Sequence, residues 1–139
     1  MNDQLEKWLT EFLSEIDACV GTVHVLEDGG LRLAAAKNIP HVVQQAVRWV
    51  PSGKGMAGLA LERGQPVSTC NLKNDSSGAV QPGAKTVDAQ AAIAMPVRNQ
   101  NGAIVGVVGA AFATESDIGG NKLQELLDRA GSLPSVLSA

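Results

Sequence analysis

AAIAMPVRNQNGAIVGVVGAAF, residues 91–112, consists of two apolar runs separated by Asn99-Gln100-Asn101-Gly102. Asn-Gly between apolar runs is a hairpin signal, because both residues tolerate the positive φ that tight reversals require. The runs do not alternate with polar residues, so the strands they predict, residues 91–98 and 103–113, must be covered on both faces and belong at the centre of a sheet. Their side chains are mostly Ala, Val and Gly, which bring neighbouring backbones close and leave space above them.

Working outward toward the C-terminus, Leu123, Leu126, Leu127 and Ala130 recur at helical spacing between Gly120 and Pro134, so a helix is expected from residue 121 onward. Toward the N-terminus, residues 71–88 hold two adjacent Ser, Gly, Pro and scattered charges but almost no large apolar groups, the composition of a functional loop or lid. Ahead of it, Val67 to Cys70 reads as a short strand. GMAGLALER, residues 55–63, reads as a short helix stopped by Gly64 and Pro66. Residues 41–50 read as another helix, entered at Pro40 and ended by Pro51, with Val42, Val43, Ala46, Val47 and Val50 on one face. Residues 19–26 and 31–37 flank Asp28-Gly29-Gly30 and predict a hairpin. Leu5, Trp8, Leu9, Phe12, Leu13 and Ile16 recur at helical spacing among acids and a lysine, predicting an amphipathic helix over residues 3–17.

A chain of 139 residues fits one domain, expected over residues 1–139. With 45% hydrophobic and 18% charged residues it is globular in composition, and it has four aromatic side chains and no Tyr. A formal net charge of -3 without a basic cluster lacks the footprint of phosphate-backbone binding, so no nucleic acid partner is expected. The longest uncharged apolar run, residues 103–113, is about half of the roughly 20 residues that span a bilayer, and no secretory leader is apparent. No membrane association is expected and the cytoplasm is the default. Cys19 and Cys70 are too few for a disulfide framework. With two histidines in different elements, they offer no metal site.

The element order, the junction VPSGKGMAGLALERGQPV (50–67), NLKND (71–75) and the 91–112 hairpin together resemble the GAF family of small-molecule sensor domains. The resemblance covers nearly the whole chain. It implies an α+β fold with an antiparallel sheet of order 2-1-5-4-3. The first and last helices lie on one face, and the small helices and lid on the other, over a ligand pocket. Family members bind cyclic nucleotides, tetrapyrroles, amino-acid-like metabolites or oxoacids, and many only hold a dimer together, so membership places a pocket without choosing its ligand.

Particular motifs narrow the chemistry. Gly53-Lys54-Gly55-Met56-Ala57-Gly58 matches G-x-G-x-x-G, but it follows Pro51 at the end of an expected helix, with no strand leading into it. Glycines that turn the chain between two short helices are the better reading, and no dinucleotide or other cofactor is expected. In the free methionine-(R)-sulfoxide reductases of this family, the cysteines correspond to positions near Ala57 and Lys85, and neither is Cys here. Cys70 alone lacks a resolving partner, and Cys19 reads as core. No Cys-His pair for a covalent bilin is present, and NLKND only echoes the cyclic-nucleotide pattern. His24 alternates with Thr22 and Leu26 on one strand face and His41 starts a helix, where a satisfied or solvated histidine is the plain reading.

The candidate pocket therefore rests on Asn71, Lys73, Asp75, Lys85, Asp88 and Gln90 as polar equipment, with Trp49, Met56, Thr69 and Cys70 as walls. The lysines suit a carboxylate or phosphate and Trp49 a flat apolar surface, which predicts a small, anionic metabolite. The apolar stripes of the two terminal helices predict a homodimer. The function expected is a small-molecule-binding sensory module without catalytic residues, passing its signal to a separate effector protein. The alternatives are a ligand-free dimerisation scaffold and a Cys-dependent reductase.

Overall fold

The computed structural model describes residues 3–69, 91–112, 120–131 and Leu133. The elements follow as α1 (Asp3–Ile16), β1 (Val20–Glu27), β2 (Gly30–Lys37), α2 (His41–Ala46), β3 (Trp49–Pro51), α3 (Gly55–Arg63), β4 (Val67–Thr69), β5 (Ala91–Arg98), β6 (Ile104–Phe112) and α4 (Gly120–Ala130). The strands form one antiparallel sheet in the order β3-β2-β1-β6-β5-β4. With β3 set aside, this is the expected 2-1-5-4-3 order.

The 91–112 hairpin forms as its sequence predicts, with Ala91 opposite Phe112 and Met95 opposite Val108. Its turn is closed by Asn99, whose Oδ1 accepts from the backbone N–H of Asn101 at 2.9 Å and of Ala103 at 3.1 Å. Such side-chain bonding is how Asn stabilises a reversal. Arg98 donates to Gly102 O at 2.7 Å and Gly64 O at 3.0 Å, tying this turn to the end of α3.

Alternation along the strands sorts two packed layers. Val23, Ile93, Met95, Val97 and Val108 point toward α1 and α4, where they meet Leu5, Leu9, Phe12, Leu13 and Leu126. Trp8 stacks on Phe12 with ring centroids 4.9 Å apart. Leu9 and Val23 are 0% exposed, and each such side chain contributes about 1.5 to 3 kcal/mol of burial. The stripe of α1 is thus consumed by the chain's own core, and α1 leaves Gln4, Lys7, Thr10, Glu11, Ser14 and Glu15 outward. Arg129 of α4 pairs with Glu15 at 2.8 Å, joining the two helices at the surface. On the other face, Leu31, Val50, Ala60, Val67, Ala94 and Val107 form a smaller core under α3.

Three expectations are corrected. The helix expected over residues 41–50 ends at Ala46, and Trp49–Pro51 instead forms β3, with Trp49 opposite Arg32 and Pro51 opposite Gly30. The indole lies on Gly30, where a Cβ would come within 2.5 Å of Trp49 Cζ2, so a larger residue there would displace the indole from this seat. Val42, expected on the buried face, is 73% exposed, and within α2 only Val43 is buried. Cys19, read as core, is half-buried just ahead of β1, its Sγ donating to Ala111 O at 3.5 Å. Among the described residues, no helix is long and apolar enough to cross a membrane.

Candidate functional site

The sheet face turned away from α1 carries unusually small residues. Val20, Ala111 and Ala92 form one cross-strand row, and Thr22, Gly109 and Ala94 the next. A Cβ on Gly109 would meet Thr22 Oγ1 at 2.7 Å, so even alanine there would crowd the row. Small side chains beneath α2 and α3 cannot fill the layer, and a cavity of about 320 Å³ remains above them. Its walls are Val43 and Val47 from α2 and its end, Trp49 from β3, and Met56 from α3.

Among the described residues the polar groups in this apolar space are few, and each is set by backbone geometry. Thr22 and His24 occupy alternate positions of β1, so both side chains stand on the cavity face while Val23 turns to the opposite core. His24 is 3% exposed, and its Nε2 lies 2.9 Å from the carbonyl oxygen of Val47, which ends α2. A carbonyl can only accept, so Nε2 carries the proton and Nδ1 is the acceptor of a neutral ring. Nδ1 is buried and has no hydrogen-bond partner among the described residues. Burial pulls the His24 pKa below its ordinary value, and the Val47 bond opposes this only partly.

The second polar feature is the start of α3. Lys54 precedes its first turn without a side-chain cap, so the leading N–H groups of the helix have no intrahelical acceptor. Lys54, Gly55, Met56 and Ala57 all border the cavity, which places a cationic side chain and the positive end of a helix at one wall. Among the described residues, no group of His, Cys, Asp and Glu is arranged to hold a metal ion.

The G-x-G-x-x-G stretch is corrected in its context. A strand, β3, does lead into it, but that strand is a three-residue antiparallel edge rather than the parallel strand of a dinucleotide-binding unit. Its glycines serve packing. Gly53 N–H donates to Gly58 O at 2.8 Å, and a Cβ on Gly58 would stand 2.5 Å from the backbone oxygen of Pro51.

Of the residues proposed from sequence, Trp49 and Met56 border the cavity. Thr69 closes β4 opposite Ala92, and its side chain lies outside what the structure describes. Cys70, Asn71, Lys73, Asp75, Lys85, Asp88 and Gln90, with the lid expected over residues 71–88, lie outside the described residues. Sequence reasoning gave Thr22 and Lys54 no role at the pocket and read His24 as a satisfied or solvated histidine, whereas it is buried at the cavity with only one ring nitrogen bonded among the described residues. The available signal was that Val20, Thr22 and His24 share the strand face opposite Val23, the face that meets Ala92, Ala94, Gly109 and Ala111.

A family model described as a GAF domain matches residues 3–133. Among solved structures, the fold is similar to the type II free methionine-R-sulfoxide reductase of Thermoplasma acidophilum, with TM-score 0.73, 20% identity, and 96% of this chain and 89% of that one covered. It is also similar to a domain of a putative two-component sensor histidine kinase from Sinorhizobium meliloti, with TM-score 0.71, 13% identity, and coverage of 100% and 94%. The GAF domain of an Acinetobacter phosphoenolpyruvate-protein phosphotransferase follows at TM-score 0.66, 16% identity, and coverage of 99% and 95%. A search among curated proteins gave no match.

Proposed function

The chain belongs to the GAF domain family, and we propose that it is a sensory module that binds a small, anionic metabolite between its sheet and the α2–β3–α3 layer. The observation that carries this reading is the floor of Ala92, Ala94, Gly109 and Ala111 beneath an apolar space of about 320 Å³. Residues this small leave a core layer unfilled, which costs stability unless something occupies it. Lys54 and the leading amides of α3 supply the attraction for a carboxylate or phosphate, and Trp49 a flat wall. Lys73 and Lys85 remain proposed as further anion contacts from residues 71–88, and the signal is proposed to pass to a separate effector protein.

A thermal-shift screen of carboxylated and phosphorylated metabolites tests the reading. A ligand at 100 times its dissociation constant adds about 2.7 kcal/mol of stability. Ala94→Leu, which fills the floor with side chain, is expected to abolish the shift while the fold persists. A full library without a shift, or a hit unaffected by Ala94→Leu, would overturn the proposed site.

Assembly as a homodimer through α1 and α4 is retained as part of the proposal, on narrower ground than the sequence offered. The partly buried Trp8, Leu123 and Leu127 at the edge of the α1–α4 core supply its apolar contacts.

A further inference from the structure

Among the described residues His24 is the one buried polar side chain of the core, and its hydrogen bonding is half complete. Nε2 is committed to Val47 O at 2.9 Å, which fixes the tautomer and leaves a lone pair on Nδ1. Among the described residues that lone pair has no partner, and the ring borders a cavity whose other described walls are almost wholly apolar. An acceptor taken out of water and left unmatched is destabilising, and natural sites that keep one commonly complete it with a bound group.

Resting on the cavity proposed above as the ligand site, we propose that the molecule sensed presents an uncharged N–H or O–H donor to Nδ1 of His24. The ligand class is then one bearing a hydroxyl, a phenol, an amide or a ring N–H at its buried end. Three features of the cavity exclude other partners for this atom. A carboxylate or phosphate oxygen has no proton to give and meets the lone pair repulsively, so the anionic end belongs at Lys54 and the start of α3. An ammonium would be dehydrated against Val43, Val47, Ala94 and Gly109 with no Asp or Glu among the described lining residues to compensate it. A wholly apolar ligand leaves Nδ1 as it stands. Thr22, two residues earlier on the same face of β1, supplies a rotatable hydroxyl beside the histidine and can accept from or donate to the same buried end.

The test uses the whole chain, labelled with ¹⁵N-histidine, and two probes of nearly equal shape, phenol and fluorobenzene, which differ in one O–H. At neutral pH the His24 resonances are expected to report a neutral ring protonated at Nε2. Phenol is expected to shift the Nδ1 resonance and to bind roughly tenfold more tightly than fluorobenzene, the size of one net hydrogen bond. His24→Met is expected to erase that preference while fluorobenzene still binds. Equal affinities for the wild type, or a ring protonated at Nδ1, would overturn the donor assignment and leave the cavity as a ligand site. If neither probe enters, the donor assignment fails, while the cavity reading stands or falls with the screen of carboxylated and phosphorylated metabolites.

Discussion

At the scale of the residue, His24 couples the cavity to pH. Its pKa is lowered in the folded chain, chiefly by burial, so in the interval below the ordinary value of 6.5 the unfolded chain holds the proton and the folded chain does not. Stability from this residue is therefore complete above pH 6.5 and is lost as pH falls from there toward the depressed folded value. Urea midpoints across this interval are expected to fall with pH for the wild type, and to lose that part of the slope in His24→Gln. Gly58 makes a different demand. Its added Cβ would face the backbone oxygen of Pro51, which no rotamer change can move. Gly58→Ala is expected to cost about 1 to 3 kcal/mol in chemical denaturation by forcing β3 and α3 apart. Both effects were out of reach of the sequence, where His24 was one of two scattered histidines and Gly58 one of 15 glycines.

At the scale of the element, periodicity succeeded where one face of a long segment is buried and failed where segments are short. The stripe of α1 and the two runs of the 91–112 hairpin read true because many positions agree on a single period. Over residues 41–50, Val42, Val43, Ala46, Val47 and Val50 fit a helical face as well as they fit a six-residue helix, a turn and a strand. Pairing decided between them, because Leu31 and Arg32 of β2 needed an edge partner and Gly30 gave the Trp49 indole a place to lie. Two substitutions report the boundary. Val43→Ala is expected to cost about 1 to 3 kcal/mol because Val43 is buried. Val42→Ala, at a side chain 73% exposed, should change stability by no more than about 0.5 kcal/mol. Equal losses at both positions in thermal denaturation would restore the longer amphipathic helix.

At the scale of the whole molecule, the two faces of one sheet are packed differently. The face under α1 and α4 is packed with Leu, Ile, Met and Phe and holds the fold. The face under α2 and α3 joins a smaller core of Leu31, Val50, Val67 and Val107 to rows of Ala and Gly that border the cavity. The proposed dimer also belongs to this scale. Leu9 is 0% exposed, so Leu9→Asp is expected to unfold the protomer, whereas Trp8→Glu is expected to lower the sedimentation coefficient and keep the circular dichroism of the native chain. A wild type that sediments as a monomer at high concentration would overturn the pairing. The α+β class, the family and the element order apart from β3 were legible in the sequence, because periodicity, turn chemistry and small-residue runs are local properties that neighbouring residues already express. Only the tertiary structure decided that Thr22, His24, Lys54, Ala94 and Gly109 share one space. Which side chains meet across a sheet depends on register and on the layer above, and neither is encoded within any single segment.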